Sequence, residues 1–181
     1  MKIFLASDHG GFELKKRILE YLETKCEKEI PKQVRDDKRN KEYELEDVGC
    51  VDTQSCDYPI FGRKLAEKVV ANPGTRGIVV CGSGVGISIA ANKVHGARCV
   101  LANSIELAHL GRLHNGANIL AMGERTKFVD APIKIVDEFL STEEDMSERH
   151  VRRREQLDEM GIFLLAKRKE AGVECLKLMF F

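Results

Sequence analysis

Residues 77–88 read G-I-V-V-C-G-S-G-V-G-I-S and concentrate the chemistry of this chain. Gly77 to Val80 are small or β-branched, which predicts a buried strand. Cys81 stands at its tip. Gly82, Gly84 and Gly86 follow at alternate positions and lead into Ile87–Val94, a predicted helix. A strand, a glycine-rich turn and a helix start make an anion site: glycines admit backbone N–H groups to a ligand, and the helix N-terminus adds partial positive charge. A cysteine at that point is either an inert core thiol or a working thiol facing an anionic intermediate.

Other residues of chemical type fall at element ends. Asp8 and His9 follow the first predicted strand; Asp8 by itself reads as an N-cap for the helix at Phe12. Tyr58 opens a helix and lines either a pocket or the edge of the core. His114 and Asn115 close another helix, where a histidine favours the helix dipole and an asparagine caps. Arg149 and Arg153 are four apart, so on one helical face both can grip one anion. They also lie in a basic run with Arg152 and Arg154, which by itself reads as a solvated face. Arg125, after the last predicted strand, is a further anion candidate.

These residues need a frame. Lys2–Ser7 reads as a first strand, followed by a helix with Phe12, Leu14, Ile18, Leu19 and Leu22 on its apolar face. Glu27–Asp47 is mostly charged and reads as a solvated excursion, with Val48 the remnant of a short second strand. Asp57-Tyr58-Pro59 opens a helix to Ala71. Arg98–Ala102 is a strand, Ser104–His114 a helix capped by Ser104, Ala117–Met122 a strand and Thr126–Leu140 a helix. A long charged helix runs from Ser147 to about Ala171. Strands alternating with helices predict an α/β domain, doubly wound on a five-stranded, mostly parallel sheet with helices on both faces. Ligands then lie at the carboxyl ends of the strands. Asp8-His9, Cys81–Gly86 and Arg125 meet that condition. His114 does not, because it precedes a strand; only a second subunit can bring it to such a site.

Composition narrows the classes. Lys+Arg and Asp+Glu both number 29 in 181 residues, so net charge offers no attraction to nucleic acid or an anionic membrane. No apolar run approaches a membrane span. The 6 cysteines form no C-x-x-C pair, which argues against a zinc site. No secretion signal is read at the N-terminus, and reduced thiols in a cytoplasm are expected.

The motifs S-D-H-G-G-F-x-L-K (Ser7–Lys15), D-Y-P (Asp57–Pro59), C-G-S-G-V-G-I-S-I-A-A-N-K (Cys81–Lys93) and H-N-x-A-N-I-L (His114–Leu120) together resemble the type B ribose-5-phosphate isomerase family. That family also includes galactose-6-phosphate and allose-6-phosphate isomerases. The resemblance runs from Met1 to about Arg153, interrupted by Glu27–Asp47. It implies a Rossmann-like domain over residues 1–154 with a charged insertion at 27–47 and a C-terminal helical extension at 155–181.

It also implies a metal- and cofactor-independent aldose–ketose isomerase working through a cis-enediolate, as a homodimer or tetramer with each active site shared between subunits. Cys81 matches the family's base at C2. Members without that thiol use a glutamate four positions on, where this chain has Val85 or Gly86. The N–H groups of Gly82, Ser83, Gly84, Val85 and Gly86 would hold the enediolate. His114 matches the ring-opening acid/base, and Asn115 would bind hydroxyls beside it. Asp8, His9 and Tyr58 would bind the sugar phosphate. Arg149, Arg153 and Arg125 would take the phosphate. Gly116 departs from an acidic residue usual after His-Asn, and a looser local hydrogen-bond pattern is expected there. The hexose-6-phosphate reaction is the alternative within the class. A phosphate-binding module without catalysis is the alternative outside it. A nicotinamide enzyme is disfavoured, because the glycine spacing is Gly-x-Gly-x-Gly and no acidic residue ends the second strand at the ribose position.

Overall fold

The structure, a computed structural model, describes residues 1–28 and 43–160. The chain divides into two compact units, Met1–Asp145 and a C-terminal unit from Met146. In the first, β1 (Lys2–Ser7) passes through a tight turn into α1 (Phe12–Lys28), then come β2 (Glu44–Asp47), α2 (Tyr58–Ala71), β3 (Arg76–Cys81) and α3 (Val85–Asn92). It continues with β4 (Cys99–Leu101), α4 (Ile105–Leu113), β5 (Ile119–Gly123) and α5 (Pro132–Ser141). The second contains α6 (Glu148–Glu159). The expected helix from Ser147 to about Ala171 does not run unbroken: α6 ends at Glu159, where Met160 takes extended backbone and its N–H turns back to Leu157 O. Residues 161–181, like most of the 27–47 segment, lie outside the described residues.

All five strands are parallel, in the order β2-β1-β3-β5-β4. The period-2 alternation of side chains sorts the core into two layers. Ile3, Leu5, Ile78, Val80, Leu120 and Met122 face one layer with Leu14, Ile18 and Leu22 of α1 and Ile135, Val136 and Phe139 of α5. Phe4, Ala6, Val79, Cys81 and Ala121 face the other, with Leu65 and Val69 of α2 and Ile87 and Ala91 of α3. The order reverses between β1 and β3, so the ligand crevice of an open parallel sheet lies between their carboxyl ends.

Several expected boundaries change; β5 is Ile119–Gly123 rather than Ala117–Met122, and three others bear on the site and the sheet edge. β2 is Glu44–Asp47, inside the segment read as a solvated excursion, and Val48 follows it as a buried residue whose N–H donates to Leu5 O at 2.8 Å. An edge strand needs little apolar content, and charge on it discourages further pairing. Here Lys2 pairs with Glu44 and Glu46 at 3.0 and 2.8 Å, Lys68 with Glu46 at 2.7 Å and Lys15 with Asp47 at 2.7 Å. α3 starts at Val85, two residues before Ile87, because Gly84 serves as its N-cap. α5 starts at Pro132 rather than Thr126; residues 126–131 are tied down by turn bonds such as Thr126 Oγ1 to Gly123 O and Val129 N to Asn103 O. The Ser104 N-cap is as expected, its Oγ accepting from Leu107 N at 3.2 Å.

Hydrogen bonds from Lys2 and then Lys68 hold the Glu46 carboxyl at about 2, below its ordinary 4.5. A carboxylate lowered on folding stabilises above its unfolded value and loses that effect as pH falls through its folded one. Glu46→Gln is expected to flatten the acid limb of the Tm-against-pH curve between about 4.5 and about 2. Calorimetry on both proteins checks this; superimposable slopes in that window would show the pairs to be inert.

Candidate active site

Strand parity decides where the thiol points. Cys81 is the last residue of β3 and shares the α2/α3 face with Val79, so its side chain is only 3% exposed. The thiol is thus a floor residue, roofed by the loop that follows, and its burial alone does not separate an inert core thiol from a working one. Gly84 N–H donates to Cys81 Sγ at 3.1 Å, which aims the positive end of an amide at the sulfur. Gly84 adopts φ +77°, and an added Cβ would meet Leu101 Cδ1 at 2.5 Å and the Met122 backbone at 2.8 Å. The loop amides therefore divide their tasks. Gly84 N–H serves the sulfur, and Val85 N–H is 3.3 Å from Ser83 Oγ. The first helical bond of α3, Ser88 N to Gly84 O, comes after the amides of Gly86 and Ile87, which open the helix. Ser83 and Val85 are exposed, and Gly82 is half-buried.

Asp8 stands beside this loop. Its N–H donates to Val80 O at 3.3 Å, and its carbonyl accepts from Gly11 N at 3.2 Å. The turn from β1 must pass over the end of β3, and a Cβ on Gly11 would lie 2.5 Å from Val80 C and O, so that position is glycine for space alone. Asp8 makes no side-chain cap, which removes the N-cap reading. Leu14 N–H in the first turn of α1 is bound instead by Glu124 Oε2 at 3.0 Å. Glu124 also donates its own N–H to Cys81 O at 3.0 Å, so it ties α1, β3 and β5 together at this rim. Sequence reasoning passed over it; its only signal was its place beside Arg125. Asp8 itself is 6% exposed, and its Oδ1 is buried with no hydrogen-bond partner among the described residues. A carboxylate oxygen in that state carries a desolvation cost until something donates to it.

His9, Tyr58 and Arg125 complete the near side. His9 Nδ1 is 3.2 Å from both the N and the O of Cys56, so it accepts from one or donates to the other according to tautomer. The Tyr58 ring lies over Gly86, where an added Cβ would be 2.5 Å from Cζ, and it is 39% exposed, outside the buried core. Arg125 N–H donates to Gly82 O at 2.8 Å, and its side chain runs past Gly82.

His114 and Asn115 are not brought there. They end α4 and precede β5, at the amino-terminal rim. Ile119 to Gly123 spans the sheet between the rims, about 13 Å at strand rise. Their corner is firmly built. Gly116, at φ +57°, donates to Arg112 O at 3.0 Å, and its carbonyl accepts from Arg98 Nε at 3.0 Å. This corrects the expected loosening at Gly116: a left-handed position suits glycine, and both its backbone groups are bonded. Arg112, 1% exposed, donates to Ala117 O at 2.8 Å and to Glu144 at 3.2 Å, and burial pushes its guanidinium below the ordinary value. Arg149 and Arg153 stand exposed on α6, in the C-terminal unit, with the four-residue spacing of one face.

A wholly parallel α/β domain with a thiol, a partnerless carboxylate oxygen and helix-start amides at its topological switch point defines a small-ligand enzyme of the open-sheet class. The sequence pattern of the family described as Ribose/Galactose Isomerase matches residues 3–157. The chain is 41% identical over 153 residues to ribose-5-phosphate isomerase B of Mycobacterium tuberculosis, covering 84% of this chain and 85% of the relative. It is 40% identical over 144 residues to a putative sugar phosphate isomerase of Bacillus subtilis, covering 79% and 86%. Among solved structures, ribose-5-phosphate isomerase B of Clostridium thermocellum superposes with a TM-score of 0.78 at 40% identity, covering 91% of this chain and 99% of that one. Ribose-5-phosphate isomerase B of Mycoplasma genitalium, with bound ribulose-5-phosphate, does so with 0.73 at 37% identity, covering 87% and 94%. The chain belongs to the ribose/galactose isomerase family and is an enzyme of the isomerase class.

Gly84→Ala forces a side chain into backbone at a left-handed position, so a loss of about 2 kcal/mol or more is expected. Thermal unfolding checks it: an unchanged Tm would show that the loop can relax without cost.

Proposed function

We propose that this enzyme interconverts ribose 5-phosphate and ribulose 5-phosphate through a cis-enediolate, without a metal ion in the step. The observation that carries the reading is the pairing of Cys81, with an amide aimed at its sulfur, and the unanswered Oδ1 of Asp8 across the β1–β3 crevice. An aldose offers both what they lack: an acidic C2–H for the thiolate and hydroxyls for the carboxylate. Support also comes from the Mycoplasma genitalium relative, whose structure holds ribulose-5-phosphate.

In this mechanism the Cys81 thiolate removes the C2 proton of the open-chain aldose. The electron pair moves into a C1–C2 double bond, and the former carbonyl oxygen becomes the enediolate oxygen. The helix-start amides of α3 carry its charge. The proton returns to C1, and the proton on O2 passes to O1, leaving a ketone at C2 and a hydroxyl at C1. Asp8 holds the sugar hydroxyls, Tyr58 walls the pocket, and His9 and Arg125 face the phosphate. Arg149 and Arg153 of α6 supply the further anion-binding charge that the resemblance assigns to the phosphate. His114 opens the furanose by proton transfer at the ring oxygen, with Asn115 binding hydroxyls beside it.

His114 reaches a carboxyl-end site only from a second copy, so the active unit is a homodimer with shared sites. Apolar side chains left exposed around the loop support this: Val85 is 48% exposed, Ile89 54% and Leu101 38%. Their cover by a partner would also roof Cys81. Among the described residues no helix is long and apolar enough to cross a membrane; a cytoplasmic enzyme of pentose phosphate metabolism is the setting we infer.

Cys81→Ala is expected to lower turnover by about 10²–10⁴-fold, the usual worth of a general base, with substrate affinity little changed. Full turnover in that variant would remove Cys81 as the base. Parallel assays on allose 6-phosphate and galactose 6-phosphate separate the pentose reaction from the hexose one. Arg153→Ala is expected mainly to raise KM; a fall in kcat alone would place it off the phosphate.

Shared sites make a further prediction. Cys81→Ala and His114→Asn subunits are each strongly impaired alone. Mixed and re-associated, they form heterodimers with one intact site, restoring about one quarter of wild-type activity. A mixture as impaired as its components would show that the two residues serve the same chain's site.

A further inference from the structure

Two thiols outside this machinery border the β1 exit. Cys50 is 7% exposed and its backbone is pinned: its N–H donates to Ser7 O at 3.0 Å, and its carbonyl accepts from Lys15 Nζ at 2.7 Å. Its Sγ lies 3.5 Å from Ser7 Oγ, and Lys15 and the Cys56 thiol are its other polar neighbours. Cys56 is half-buried, with Sγ 4.0 Å from His9 Nδ1, the nitrogen that also contacts the Cys56 backbone. Residues 51–55 between them are exposed, Val51 at 89%, and turn through a bond from Gln54 N to Asp52 Oδ1. Cys50 is thus the fixed member and Cys56 the movable one.

We propose that Cys50 and Cys56 form an oxidisable dithiol site, closed to a disulfide by small-molecule disulfides such as oxidised glutathione, and that closure withdraws Cys56 from His9. The accessible Cys56 thiolate attacks the glutathione disulfide and releases one glutathione thiolate. The Cys50 sulfur, losing its proton, then displaces the second glutathione. Two protein thiols lose two electrons and two protons; one glutathione disulfide becomes two glutathione thiols. Burial holds the Cys50 thiol above its ordinary value, consistent with its acting second. Closure draws in the chain just before Asp57 and Tyr58, the start of α2, whose tyrosine roofs Gly86. The effect on catalysis rests on the isomerase reading; the disulfide itself does not.

The full chain is incubated with oxidised glutathione, alkylated and digested with trypsin. The peptide spanning residues 42–63 holds both cysteines and should appear lighter by two hydrogens, unalkylated. KM for ribose 5-phosphate should rise roughly threefold to tenfold, the worth of one lost positioning hydrogen bond, and return on adding dithiothreitol. Cys50→Ser should keep basal activity and show no such rise; Cys56→Ser should not form the link. Separate glutathione adducts on the two thiols, or a peptide that stays fully alkylatable, would overturn the proposal. So would the same rise in KM in Cys50→Ser, which would trace it to another thiol such as Cys81. A protein with no isomerase activity on any sugar phosphate would leave the mass shift as the deciding readout, so the two readings fail separately.

Discussion

The parallel register of β1 against β3 is the constraint on which the site depends. Ile3 pairs with Arg76 and Ser7 with Val80, so β1 ends one residue short of the Cys81 tip of β3 and both strands leave the sheet side by side. The backbone then departs from each strand into glycine-rich turns that pack on one another, with Asp8 N–H bonded to Val80 O and Gly11 lying against the Val80 carbonyl. A side chain at Gly11, or a slip of one residue between the strands, would part the Asp8 carboxylate from the Cys81 loop. The same slip would turn Cys81 to the α1/α5 layer, since parity assigns each strand residue to a face.

A second strand-level fact follows from connectivity. Helices in such a domain run antiparallel to the strands, so their carboxyl ends reach the rim opposite to the ligand. His114 and Asn115 are at that rim, on a corner braced by Arg98 and the buried Arg112. Rigidity there is wasted on a monomer's own site. It has a use if the corner is presented to another subunit, and the exposed apolar residues around the Cys81 loop are where such a surface would seat. Glu124 shows the complementary economy on the near rim: one carboxylate and its backbone amide hold α1, β3 and β5 in place, leaving the Asp8 carboxylate uncommitted.

Much of this was legible from residue order. The alternation of strands and helices, Pro59 at a helix start and Ser104 as a cap are local signals with local causes, and they appear in the structure where they were read. β2 was missed because E-L-E-D carries almost no apolar signal; it is a strand because β1 offers it a free edge and three lysines neutralise its acids. The glycine spacing announced an anion loop, yet not that Gly84 N–H would be spent on the sulfur.

The linear order of residues, through periodicity and turn chemistry, settled the α/β class, the strand-end position of Cys81 and the exile of His114 from its own chain's crevice. These depend only on direction and count along the chain. Tertiary structure alone decided that Cys81 is a floor residue, that Glu124 relieves Asp8 of capping, that Tyr58 lies on Gly86 and that Cys50 and Cys56 meet beside His9. Glu124 with Leu14, Tyr58 with Gly86 and Cys56 with His9 are contacts between segments distant in sequence. Such contacts are set by sheet register and packing, which no local pattern encodes.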